Sequence, residues 1–229
     1  YKRQTMVTGT LTFAPGETLQ SFDLPILDDA LNEATETAIV TLSNPVLVNL
    51  GTPMTATVHI EDDDAQPTVM FSETETAVSE DSGTVTVTLT LSEPSGRPVE
   101  VSYAPTMSGT ATAGNDYDNA TGSVIFPALS TSQIISVTIN DDTTDEPEEN
   151  LILEITNADF ATIGADSSHT ISITDNDEMP SIAFADVAYE VDEDDGMAVV
   201  TVQLSNPSEF EITVDIATAE STATGNHDY

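Results

Sequence analysis

The chain has no cysteine, no tryptophan and only three lysine and arginine residues in 229 positions. Without cysteine, neither disulfides nor thiolate metal centres hold the fold together. Binding nucleic acid means displacing counterions from phosphates with Lys and Arg, so this chain takes no nucleic acid as a partner. An anionic membrane surface is excluded on the same ground. Aromatic residues make up 5%, too few to line a sugar cleft, so the many acids do not read as a glycosidase pair. No nucleophile–base arrangement is visible, and no enzyme is expected. No apolar run approaches a membrane span, so no direct membrane insertion is expected in this segment. No signal-peptide core follows Tyr1-Lys2-Arg3-Gln4, but the chain reads as beginning in mid-repeat, which makes that silent on export.

What the chain has in excess is acid: 41 Asp and Glu, a formal charge of −38. Charge of this size repels itself in the compact state unless cations screen or bind it. A hydrophobic content of 38%, rich in Val, Ile and Thr, is too high for a disordered acidic tail. A salt-adapted, solvating surface would account for the bulk charge, but not for where the acids fall.

The acids recur in register. The strings Ile60-Glu61-Asp62-Asp63-Asp64-Ala65-Gln66-Pro67 and Ile173-Thr174-Asp175-Asn176-Asp177-Glu178-Met179-Pro180 lie 113 residues apart. The same offset relates Phe13 to Phe126, Asp28-Asp29 to Asp141-Asp142, Glu33 and Glu36 to Glu146 and Glu149, and Glu80 to Glu193. A period of this length marks an array of similar domains. Residues 67–179 form one complete unit; 1–66 read as the C-terminal part of a preceding unit and 180–229 as the N-terminal part of a following one. The chain is either a piece of a longer array or a subunit whose C-terminal part completes the N-terminal part of an identical chain by strand addition.

Period-two alternation dominates each unit, as in Thr84–Leu91, Ile134–Ile139, Leu151–Ile155, Val199–Leu204 and Ala38–Leu42. Half-buried strands separated by Gly, Pro, Asn and Asp predict an all-β protein of tandem immunoglobulin-like antiparallel sandwiches. Turns fall at Pro15-Gly16, Glu93-Pro94-Ser95-Gly96 and Asn206-Pro207. Phe13, Phe126 and Phe184 are the expected core fillers. His59 and His169 are expected to be exposed strand residues and His227 a surface loop residue.

In the complete unit Glu80, Asp116, Asp141, Asp142, Glu146, Glu149, Asp175 and Asp177 all fall at strand ends or in turns. A lone Asp in a loop is a turn former; a recurring group gathered at one end of a sandwich needs a cation or protonation. Ca²⁺ suits such a group best, because it takes 6–8 oxygen ligands in flexible geometry. Mg²⁺ demands a stricter octahedron, and zinc would call for His or Cys.

Gly109-Thr110-Ala111…Gly114-Asn115-Asp116-Tyr117, Gly122-Ser123-Val124-Ile125-Phe126, Asp141-Asp142…Glu146…Glu149 and Ile173-Thr174-Asp175-Asn176-Asp177 together resemble a Calx-beta domain. That family comprises calcium-binding immunoglobulin-like modules of sodium–calcium exchangers, integrin beta-4 and large bacterial surface proteins. The resemblance covers the whole chain and implies the eight carboxylates above as calcium ligands. For the first partial unit it implies Asp28, Asp29, Glu33, Glu36, Asp62, Asp63 and Asp64; for the last, Glu193 and Asp228. Asn176 departs from an all-Asp terminal cluster and lowers the site's charge. The resulting expectation is a calcium-stiffened, adhesin-like stalk of an extracellular or cell-surface protein, whose partners are calcium and neighbouring repeats of the same or identical chains. The alternatives are a filament subunit completed by strand exchange and a calcium sensor regulating an attached transporter.

Overall fold

The computed structural model describes residues 7–219, 221–223 and 225. Its strands, in chain order, begin in the first unit with β1 (Glu36–Thr41) and β2 (Thr55–Ile60). The complete unit carries β3 (Thr68–Phe71), β4 (Glu75–Ser79), β5 (Thr84–Leu91), β6 (Val99–Pro105), β7 (Tyr117–Asp118) and β8 (Gly122–Phe126). It continues with β9 (Ser132–Ile139), β10 (Glu149–Asp159), β11 (Thr162–Ile163) and β12 (Ser168–Thr174). The last unit holds β13 (Ile182–Phe184) and β14 (Val202–Leu204). The only helical turns among the described residues are two 3₁₀ turns, Glu80–Ser82 and Glu193–Asp195, which share the repeat offset. No helix among them is long and apolar enough to cross a membrane.

The fold is all-β, and the complete unit is a sandwich of two five-stranded sheets, ordered β4-β12-β10-β6-β8 and β11-β3-β5-β9-β7. Alternation builds the faces: along β5, Val85, Val87, Leu89 and Leu91 are buried while the threonines between them turn outward. Val99, Val101, Phe126, Ile135, Val137, Leu151, Leu153 and Ile171 meet them from the other strands. Burying each large side chain stabilises by roughly 1.5–3 kcal/mol. Most pairings are antiparallel, as the alternation implied, but β12 runs parallel to β4 and β11 parallel to β3. Alternation fixes which face a residue takes and does not distinguish strand direction.

The flanking units each contribute a two-stranded sheet, β1-β2 and β13-β14, which do not pair with each other. This corrects part of the expected core. Phe126 is fully buried, but Phe13 and Phe184 are 52% and 61% exposed. Phe126 lies in a five-stranded sheet faced by a second one, whereas Phe184 lies in a two-stranded sheet and Phe13 in no strand. A second correction is His169, which is 2% exposed. It lies in phase with the buried Ile171 and Ile173 of β12, donates from Nδ1 to the Glu73 carbonyl at 2.7 Å and sits 5.6 Å from the Phe71 ring. His59 is exposed as expected; His227 lies outside the described residues.

Register brings one set of strand ends together. Thr174 at the end of β12 pairs with Ser79 at the end of β4, and Ile173 pairs with Glu149 at the start of β10. Ile139 at the end of β9 pairs with Tyr117 at the start of β7. The loops that follow or precede these ends therefore share one tip of the sandwich.

Candidate calcium centre

Each element delivers its carboxylate to that tip for a local reason. β4 runs into the 3₁₀ turn 80–82, which Gly83 closes at φ 71°, a left-handed conformation that L side chains rarely adopt. The turn tucks Glu80 inward to 5% exposure, where its Oε1 accepts the Asp142 amide at 3.0 Å. Ahead of β7, Gly114 at φ 89° allows a tight loop in which the Thr112 amide donates to the Asp116 carboxylate and the Asn140 amide to the Asp116 carbonyl at 3.0 Å. After β12, Asp175 accepts the amides of Asp177 (3.2 Å) and Glu146 (3.3 Å), tying the two acidic loops together. Asn176 donates to Asp141 Oδ1 at 3.3 Å, so it acts as an internal donor within the cluster.

The result is two groups at one tip. Carboxylate oxygens of Glu80, Asp142 and Asp177 lie within 4.8 Å of one another, and so do those of Asp116, Glu146 and Glu149. At such separations each like-charged pair costs roughly 1 kcal/mol in water and about 3.5 kcal/mol at an effective dielectric of 20. Protons relieve this in the absence of a cation. Glu146 is pushed up to about 7, chiefly by desolvation and then by Glu209, Asp116, Asp142 and Glu80. Glu149 is also pushed up to about 7, by desolvation, by its hydrogen bond with Asp116 and by the charges around it. Burial raises Glu80 and Asp177 too, with their acidic neighbours adding to the shift. Asp142 goes the other way, lowered chiefly by the Thr144 amide, which donates to it at 2.6 Å.

The donor set is all oxygen, with no histidine or cysteine in it, the chemistry of a hard cation. Asp177 keeps a buried Oδ2 with no hydrogen-bond partner, an acceptor that a cation would satisfy and that protein donors do not. All eight carboxylates expected in the complete unit thus share the tip.

The partial units are less complete. Asp28, Asp29, Glu33, Glu36, Asp62, Asp63 and Asp64 line one open cleft of the first unit, and Asn32 donates to Asp62 at 2.9 Å. Asp64 is raised by burial and then by Asp62, Asp63, Asp28 and Asp29. Among the described residues, close groups of three carboxylates form in the complete unit only. Glu193 sits in the second 3₁₀ turn, exposed and apart from the other candidates; Asp228 lies outside the described residues.

Sequence reasoning missed Glu209, whose charge acts on both Glu146 and Glu149. Its counterpart one repeat earlier is Gly96, so periodicity could not mark it. The signal was beside it: Pro94-Ser95 and Pro207-Ser208 share the repeat offset.

The family model for the Calx-beta domain matches residues 2–64, 62–177 and 175–229. The chain is 32% identical over 205 residues to FRAS1-related extracellular matrix protein 2 of Homo sapiens, covering 83% of this chain and 6% of that protein. It is 34% identical over 166 residues to sodium/calcium exchanger 1 of Canis lupus familiaris, covering 64% of this chain and 17% of that one. It therefore spans a small part of the length of these relatives. Among solved structures, the apo-form Calx CBD1 domain is similar at a TM-score of 0.46 and 24% identity, covering 49% of this chain and 99% of that chain. The three consecutive matches account for every residue from 2 to 229, and the chain belongs to the Calx-beta domain family.

Proposed function

We propose that the chain is a calcium-binding structural segment of a larger extracellular or cell-surface protein. In this reading residues 67–179 form a complete repeat, flanked by the C-terminal part of one repeat (1–66) and the N-terminal part of another (180–229). Calcium is held at the tip of the complete unit by Glu80, Asp142 and Asp177 on one side and Asp116, Glu146 and Glu149 on the other. Asp141 and Asp175 take part or brace the loops. The observation that carries the reading is the meeting of two carboxylate triads at one tip around a buried, unpartnered Asp177 oxygen. The similarity to an extracellular matrix protein supports placement outside the cell, where calcium is abundant enough to fill weak sites.

Calcium bound to the folded state alone stabilises it by RT ln(1 + [L]/Kd), about 2.7 kcal/mol per site at a hundredfold excess over Kd. With the acid repulsion removed, adjoining repeats stiffen into an extended stalk. Thermal unfolding in EDTA, then with calcium and separately with magnesium, tests this. A rise in Tm specific to calcium is expected; equal rescue by any salt would leave the acids as a solvating surface.

A further inference from the structure

The two sheets of the complete unit end in the strands β4, β8, β11 and β7. An edge strand presents unpaired N–H and C=O groups, and proteins blunt it by shortness, charge, proline or cover. Three of these edges are blunted. β11 has two residues. β7 also has two, and its outer side is taken by the preceding loop, through a bridge from Ala113 and the Gly114 amide donating to the Tyr117 carbonyl at 2.9 Å. β4 has the exposed acids Glu73 and Glu75 at its start. The edge at β8 has none of these devices. It pairs with β6 on one side, and no strand among the described residues lies on the other. Residues 119–126 contain neither charge nor proline, and no charged residue follows until Asp141.

The surface around this edge is apolar in a chain that is otherwise acidic. β8 lies against β9, and β9 meets β7 at Thr138 and Ile139 alone. Ile125 on β8, Leu129 in the turn after it and Ile134 on β9 are 56%, 60% and 59% exposed. Leu129 is held there against its backbone preference. The Ser130 amide closes the turn on the Pro127 carbonyl at 2.9 Å, and Leu129 sits at φ 70°. One repeat earlier the Glu17 amide closes the same turn on the Ala14 carbonyl at 3.0 Å, with Gly16 in that place at φ 91°. A left-handed conformation is unfavourable for a residue with a Cβ, and residues held in one cluster where a surface is used.

Acids stand just behind the edge. On the outer face of the sheet Ile125 lies opposite Glu100, and Glu100 opposite Asp159, so the three form one cross-strand row. Ser123 Oγ donates to Glu100 Oε1 at 2.9 Å and holds that carboxylate beside β8. A strand added to β8 would lie about 4.8 Å out and continue the row. A Lys or Arg opposite Ile125 would lay its aliphatic stem over the isoleucine and carry its cation toward Glu100. A second copy brings the wrong charge, since two chains of −38 repel. We propose that β8 is a docking edge for an extended basic segment of another protein, which joins the five-stranded sheet as a further strand. Backbone hydrogen bonds hold the segment, and the negative field of the chain steers it in.

The test uses the whole chain, isotopically labelled for amide exchange, and the probe acetyl-Lys-Val-Lys-Val-Lys-Val-Lys-amide. The peptide should slow exchange of the amides in residues 122–126 that face away from β6. The same peptide methylated on every backbone nitrogen, with its charge intact, should bind about tenfold more weakly. Ile125→Lys gives the edge the charge that such strands normally carry and should weaken the unmodified peptide about tenfold. Ala77→Lys, an equal charge change at an exposed site on the edge strand β4, should stay within about twofold. The exchange map of the wild type decides the question even if a variant fails to fold. The proposal falls if both peptides bind alike, which leaves ion pairing alone, or if the slowed amides lie in the acidic loops. It falls as well if the β8 amides are slowed without peptide in a concentration-dependent dimer, which would make a second copy the occupant.

Discussion

Raising the pH should destabilise the metal-free protein and stabilise the calcium-loaded one. Glu146 and Glu149 sit at about 7 in the folded chain against an ordinary 4.5. A group whose folded value is raised binds its proton more tightly when folded, so its contribution is complete below 4.5 and is lost as pH climbs through 7. Taken at face value each such change is worth roughly 3 kcal/mol. Both side chains are half-buried, and solvent screening cuts this to about 1 kcal/mol each. Together, about 2 kcal/mol of metal-free stability should disappear between pH 4.5 and 7.5. Asp142 is lowered and titrates below that window. Calcium reverses the slope, because it binds the deprotonated carboxylates and releases their protons. Urea unfolding at several pH values, in EDTA and in saturating calcium, reads both slopes. General acid repulsion would also weaken the metal-free chain as pH rises, so the deciding comparison is Glu146→Gln/Glu149→Gln. The double variant should lose most of the fall in EDTA and most of the gain in calcium. A metal-free slope unchanged by the double substitution would refute the assignment of those protons.

Three further outcomes follow from the packing and the site. Phe126→Ala should cost about 3–5 kcal/mol by denaturant unfolding, whereas Phe13→Ala, at a largely exposed position, should fall within about 0.5 kcal/mol of wild type. His169→Leu removes the donor to the carbonyl of the exposed Glu73 and should cost about 0.5–1.5 kcal/mol, read as a lowered Tm with or without calcium. Glu80→Gln keeps an acceptor for the Asp142 amide but removes a charge, so it should leave the Tm in EDTA unchanged or higher and shrink the calcium-induced rise.

Strands, repeat and tip were legible in the sequence because each has a local period. Thr84–Leu91 shows its buried face by alternation alone, and the acids mark the tip because they recur with the hydrophobic landmarks. Parallel pairing of β12 with β4 left no such mark, since the same alternation serves either direction. His169 was misread from its polarity, although its phase with Ile171 and Ile173 placed it inward; its Nδ1 bonds the Glu73 carbonyl, while its Nε2 is buried without a partner. Phe13 carries the pattern of Phe126 and Phe184 that of Phe71, but neither has a facing five-stranded sheet among the described residues, and burial depends on both. The junctions were the least legible feature. Their hydrogen bonds join residues 63 positions apart, such as Asp145 and Ser208, and Glu209 stands where the preceding repeat has glycine.

The central claim is that the tip of the complete unit binds calcium in a defined number, and native mass spectrometry of the EDTA-stripped chain titrated with calcium or magnesium tests it most directly. Discrete calcium adducts should form that magnesium does not reproduce and that Asp116→Asn/Glu149→Gln reduces. A smear of adducts, equal for both cations and unchanged by the substitutions, would contradict the account.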